Sequence, residues 1–108
     1  LRLQFEKKAR EEDFKSLNRV TLDAHKVNLP MVVRKWQKGD YFYPKGMMGK
    51  KKLSKFFKDE KLSIPEKENI WLLCSENEVA WVVGLRCDER FKVTDETESV
   101  LLVEWIPK

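Results

Sequence analysis

The amino-acid sequence predicts a compact, strand-dominated α+β domain with one clear amphipathic helix. Three observations predict it. Short apolar or alternating runs recur along the chain, each bounded by polar or turn-forming residues, which is the texture of strands. Only one stretch, Lys50–Glu60, carries its apolar residues at helical spacing. The chain has 108 residues, 42% hydrophobic and 37% charged, which suits one soluble globular domain that buries a core without disulfides or metal.

Each element follows in order. Leu1–Lys8 alternates Leu1, Leu3 and Phe5 with Arg2, Gln4 and Glu6, the period of a half-buried strand. Ala9–Ser16 is charged and reads as a loop or short helical turn. Asn18–Asp23 carries Val20 and Leu22 and reads as a short strand, and Ala24–Asn28 as a turn of helix. Leu29–Trp36 is the next strand, with Pro30 near its start, where a missing N–H is tolerated. Gln37–Gly49 contains Gly39, Pro44, Gly46 and Gly49 and reads as a long loop with several turns. In Tyr43-Pro44-Lys45-Gly46 the proline and glycine take the second and fourth positions favoured in a type I turn. Lys50–Glu60 places Leu53, Phe56 and Phe57 at i, i+3 and i+4 of a short helix. Pro65–Glu68 suggests another helical turn. Ile70–Cys74 and Val79–Val83, joined by Ser75-Glu76-Asn77-Glu78, form a hairpin that Gly84 ends or kinks. Leu85–Val93 alternates loosely, and Ser99–Ile106 is a final strand.

Several function classes are disfavoured. There is no phosphate-binding loop, no dinucleotide glycine fingerprint and no zinc-type ligand spacing. Cys74 and Cys87 sit in apolar strand contexts and read as buried, reduced core residues; a disulfide between them has no support. His25 lies in a polar turn and reads as a surface residue. Asp40, Asp88 and Glu89 could pair as carboxylates, but nothing in their spacing says so, and Asp40 after Gly39 is more simply a turn former. No catalytic residue and no metal ligand is assigned. No apolar run approaches the roughly 20 residues of a membrane span. No signal peptide is visible, and the opening Leu1 in place of Met suggests a piece of a longer chain.

Charge is distributed unevenly. Residues 34–61 hold ten basic and three acidic side chains, a net +7, within a chain of net +4. Such polarity points to a polyanionic partner. Lys50, Lys51 and Lys52 stand at the start of the expected helix, where the dipole favours acids. Lys51, Lys55 and Lys58 are expected to share the face opposite Leu53, Phe56 and Phe57, where like charges repel. Local rules broken without visible gain often mark function. A phosphate could use exposed helix amides and ammonium groups together; a merely solvated lysine face fits the same pattern. Trp36, Tyr41, Phe42 and Tyr43 lie nearby, as core or loop anchors or as rings that stack on bases. Trp71, Trp81 and Trp105 fall in strands and read as core.

Arg34-Lys35-Trp36-Gln37-Lys38-Gly39-Asp40 is followed in order by Phe42, Pro44, Gly46-Met47, Gly49-Lys50-Lys51-Lys52-Leu53-Ser54, Phe56-Phe57 and Asp59. Trp81-Val82-Val83-Gly84, Arg86, Asp88, Arg90-Phe91 and Thr94 come next, and Leu22-Asp23-Ala24 lies upstream. This series resembles the C-terminal domain of tRNA(Ile)-lysidine synthetase, from about Arg19 to Ile106 without a large gap; the first eighteen residues match less. Cys87 departs from the aliphatic residue expected there, a mild core change. The resemblance implies a boundary between residues 1–33, lead-in strands and connecting segment, and residues 34–108, the family domain, within one compact unit. It implies a small, compact sandwich-like fold, a module also seen in the β subunit of phenylalanyl-tRNA synthetase. It implies a cytoplasmic parent ligase that uses ATP, with magnesium, and lysine. That enzyme adenylates the first anticodon cytidine of tRNA(Ile) and lets lysine displace AMP. The chemistry would belong to an N-terminal domain with an S-G-G-x-D-S loop, a motif not found in this sequence. The implied partners are tRNA(Ile), chiefly its acceptor stem, and that catalytic domain. The phosphate-contact candidates are Arg34, Lys45, Lys50, Lys51, Lys52 and Lys55, with Arg86 and Arg90 as weaker ones. The rival reading is a non-catalytic interaction module with a solvated lysine face.

Overall fold

A computed structural model describes residues 18–105 and the strand Arg2–Glu6. The loop or turn expected at Ala9–Ser16 lies outside the described residues, as does the end of the last expected strand at Ile106.

Two antiparallel sheets make the sandwich. The first has three strands: β1 (Arg2–Glu6) and β2 (Arg19–Asp23) flank β9 (Val100–Glu104), so the two chain ends meet in one sheet. The second runs β3 (Met31–Lys35), β6 (Trp71–Ser75), β7 (Glu78–Val82) and β8 (Arg86–Cys87). A two-stranded ribbon pairs β4 (Tyr41–Phe42) with β5 (Lys51–Lys52). The helices are α1 (Leu53–Asp59) and α2 (Ile64–Glu68), the latter closed by a Ser63/Glu66 capping box. Single 3-10 turns occupy Ala24–Lys26 and Glu89–Phe91.

The four-stranded sheet is the middle layer. On one face Leu73, Ala80 and Trp81 pack with Val20, Leu22, Leu101 and Val103 of the other sheet. On its other face Leu72, Cys74, Val79 and Val82 pack with Phe42 of the ribbon and Leu53, Phe56 and Phe57 of α1. Burial on both faces explains why these central strands read as continuous apolar runs, without alternation. The central strands serve both cores by alternating their side chains between faces, a pattern that a bulge in β7 interrupts. Register shifts between Leu73 and Cys74, so neighbouring Ala80 and Trp81 enter one core while Val79 and Val82 enter the other.

Several expectations need correction. The long loop from Gln37 to Gly49 contains β4. Its turn closes one residue later than the sequence suggests: the Met47 amide donates to the Pro44 carbonyl at 3.0 Å. Gly46, third in that turn with φ +82°, makes it type II, not type I. The helix begins at Leu53, not Lys50, because Lys51–Lys52 pairs with Tyr41–Phe42. Lys52 is its N-cap, in extended conformation, and the Leu53 amide already donates to the Asp40 carbonyl at 3.0 Å. The expected repulsion of Lys51 with Lys55 along one helix face therefore does not arise, since Lys51 is a strand residue. Phe42 is core, as are both free cysteines, whose thiol pKa values burial pushes up. Trp81 is buried, whereas Trp71 and Trp105 are half-buried and pack ring to ring at 6.0 Å.

Candidate nucleic-acid interface

The β4–β5 ribbon and the start of α1 carry the lysines. Register places Tyr41 opposite Lys52 and Phe42 opposite Lys51. Phe42 is fully buried and Lys51 mostly so, while Tyr41 and Lys52 face outward. The chain turns into the ribbon at Gly49, whose φ of +82° is strained for any side-chain-bearing residue. An open cavity of about 520 Å³ results, with Lys50, Lys51, Lys52 and Lys55 around it. Pro44, Met47 and Met48 form its apolar wall, and Asp59 is its acid.

The lysines differ in their ties. Lys51 Nζ lies 2.5 Å from Asp59 Oδ2, and this partner holds the Asp59 carboxyl below the usual carboxylate range. Among the described residues, Lys45, Lys50, Lys52 and Lys55 have no carboxylate ion pair. Lys50 Nζ sits 4.4 Å from the Tyr41 ring centroid. Lys45 is exposed, in the type II turn, and its amide donates to the Cys87 carbonyl at 2.9 Å. Lysines 50, 51, 52 and 55 thus come together at one cavity, with Asp59, Met47 and Met48 as neighbours that the sequence reading did not single out as site residues. Helix periodicity shows the Lys55–Asp59 spacing; only the fold reveals the Lys51–Asp59 pair.

The arginines are placed differently. Arg34 Nη1 and Nη2 donate to the two oxygens of Asp40 at 2.8 and 2.9 Å. Asp40 Oδ2 also accepts from the Gln37 amide at 2.6 Å, so the carboxylate both turns the loop and clamps it to β3. The hydrogen bonds from Arg34 lower the Asp40 pKa, and in return raise that of Arg34. Arg90 repeats the arrangement: Nε and Nη2 donate to fully buried Asp88 at 2.9 Å each, and Nη1 donates to Glu78 at 2.5 Å. Asp88 accepts the Tyr43 amide at 2.9 Å as well, which fixes the loop carrying Lys45. Asp40 and Asp88 are therefore satisfied structural carboxylates. Arg86 is half-buried, 5.9 Å from the Phe56 ring centroid, with a long 3.5 Å contact to the Lys45 carbonyl. His25 is exposed. No group of three or more His, Cys, Asp or Glu that could hold a metal occurs among the described residues.

Fold and face define a small antiparallel sandwich module with a lysine-lined cavity built from one ribbon and one short helix. The chain belongs to the family described as the TilS substrate C-terminal domain, whose model matches residues 31–105. It is 48% identical over 85 residues to the tRNA(Ile)-lysidine synthase of Parabacteroides distasonis, covering 79% of this chain and 19% of that protein. It is 43% identical over 83 residues to that of Caldanaerobacter subterraneus, covering 77% of this chain and 18% of that protein. The chain thus spans about a fifth of the length of these relatives. The crystal structure of a TilS C-terminal domain superposes with a TM-score of 0.79 at 22% identity, covering 94% of this chain and 78% of that one. An N-terminal fragment of the phenylalanyl-tRNA synthetase β subunit from Pyrococcus horikoshii gives 0.66 at 22% identity, covering 78% and 26%. Those two likenesses concern the fold, and the second bears out the module expected from the resemblance.

Proposed function

We propose that this chain is the tRNA-gripping module of a lysidine-forming ligase of the cytoplasm. It holds the backbone of tRNA(Ile), at the acceptor stem, while a catalytic domain elsewhere in the parent chain works on the anticodon cytidine. ATP, magnesium and lysine belong to that domain; this module supplies position and no chemistry. The observation that carries the reading is the cavity of about 520 Å³ where four lysines converge and three of them lack a carboxylate partner. Uncompensated ammonium groups on a rigid frame attract phosphates without reading sequence, which suits the shape-based recognition of an RNA helix. Lys45, Lys50, Lys51, Lys52, Lys55 and Arg86 are the proposed phosphate contacts. Arg34 and Arg90 add positive potential, but their donors are held by Asp40 and Asp88, and we assign them chiefly to shaping the loops. The unit is proposed to include residues 1–33 as well as 34–108.

The test uses the parent enzyme. Lys52→Glu with Lys55→Glu should raise the KM for tRNA by tenfold or more while lysidine formation at saturating tRNA is largely kept. An unchanged KM would defeat the reading. The 108-residue chain alone, given ATP, lysine and tRNA(Ile), should form no lysidine and release no AMP; turnover by it would do the same. One observation favours a second role, contact with the rest of the parent chain. Leu29 and Val32 are exposed, at 72% and 42%, on and just before β3, an edge strand. Leu29→Ser with Val32→Ser should then weaken docking onto the catalytic domain and leave RNA affinity of the isolated chain alone.

A further inference from the structure

We propose that Tyr41 is a stacking platform for one unpaired nucleobase whose phosphates lie on Lys50 and Lys52. The inference rests on the RNA-binding reading above and adds a single-stranded element to it. Tyr41 is 43% exposed, while its strand neighbour Phe42 is completely buried. The outward position is a consequence of the two-residue strand, but the ring is not loose. It meets Tyr43 edge to face, with centroids 6.3 Å apart at 78°. Tyr43 lies 4.4 Å from the guanidinium of Arg90, and Arg90 is clamped by buried Asp88 and by Glu78. A chain of contacts thus ties a surface ring to the core, so little ordering entropy remains to be lost on binding.

Cations stand beside the same ring. Lys50 Nζ is 4.4 Å from its centroid, and Lys52 is its cross-strand partner. Both lysines also line the cavity. Phosphate-binding ammonium groups next to an oriented aromatic face are the two parts of a single-strand site. A base arriving on the ring displaces the Lys50 ammonium, which moves to that nucleotide's phosphate. Only an unpaired base fits, because bases inside an A-form stem have both faces covered by their neighbours.

The test compares three RNA hairpins with one common stem, titrated against this 108-residue chain. One is blunt, one has a short unpaired tail, and one has an abasic tail that keeps the phosphates and lacks the bases. The tail with bases should bind at least about fivefold more tightly than the abasic tail. Tyr41→Ala should erase that difference and keep both melting temperature and affinity for the blunt stem, whereas Tyr41→Phe should preserve it. Equal affinity for the two tails, or a Tyr41→Ala chain that still prefers bases, overturns the proposal. If both tails bind equally with steep salt dependence, stacking fails and the RNA-binding reading stands. If no hairpin binds, both fail.

Discussion

Asp40 and Asp88 do related work, Asp40 at Arg34 and Asp88 at Arg90. Each carboxylate accepts two guanidinium hydrogen bonds and at least one backbone amide, and each fixes a loop that carries a lysine or an aromatic ring. Charge-assisted hydrogen bonds of this kind contribute about 1.5–3 kcal/mol each when their partners are removed. Arg34 is about a third exposed, which screens its pair with Asp40. We therefore expect Asp40→Ala to destabilise the chain by about 2 kcal/mol, measured by denaturant unfolding. The pH dependence follows from the lowered folded-state pKa of Asp40. A depressed carboxylate contributes stability that is present above the unfolded pKa, about 4, and is lost as pH falls through the folded value. The melting temperature should fall below about pH 4, and Asp40→Asn should flatten that fall. A mutant as acid-sensitive as the unmodified chain would refute the assignment. At this scale the sequence shows Arg34 and Asp40 as motif residues and as charge. It does not show that they are partners, because the pairing depends on how the 37–40 turn folds back on β3.

The helix and its ribbon behave as one element. A seven-residue helix is too short to persist on its own. It is held by Leu53, Phe56 and Phe57, all essentially buried, each worth about 1.5–3 kcal/mol of side-chain burial. The two neighbouring lysines should therefore respond in opposite ways to charge reversal. Lys51→Glu removes the ion pair with Asp59 and sets two acids together, so the melting temperature should drop. Lys52→Glu places an acid at the N-cap of α1, which should leave stability level or raise it by about 0.3–1 kcal/mol. Thermal melts of the two variants decide this; equal shifts would mean that the ribbon register is wrong. The hairpin of β6 and β7 and the apolar face of α1 are legible in the sequence, since both rest on local period and length. The ribbon is not legible. Two residues per strand show no period, and Lys50–Lys52 has good helix propensity that a tertiary pairing with Tyr41–Phe42 overrides. The lysine run is visible as charge, but the sorting of Lys51 inward and Lys52 outward appears only with that register.

Across the whole molecule, the chain ends close the core that supports the basic face. β9 lies between β1 and β2, and Val20 and Leu22 pack against Leu73 and Trp81 of the middle sheet. The family match begins at residue 31, yet deleting residues 1–33 would unpair both edges of β9 and remove those side chains from the core. Such a truncation should lose its cooperative melt; a cooperative transition near that of the intact chain would contradict this account. The sandwich then holds a segment of net +7 on a chain of net +4, with three of its four cavity lysines lacking a carboxylate partner. If roughly four phosphates are neutralised on an RNA stem, log affinity should fall with log salt at a slope near about −3.6, taking the coefficient for duplex DNA. Lys52→Glu with Lys55→Glu should lower affinity and flatten the slope by about 0.7–0.9 for each lost contact, with the fold intact. The most direct test of the central claim is that salt titration, run on an RNA stem with the unmodified chain and this double variant side by side. A steep slope that becomes shallower in the variant is the predicted result; binding indifferent to salt, or equal slopes for the two proteins, would contradict it.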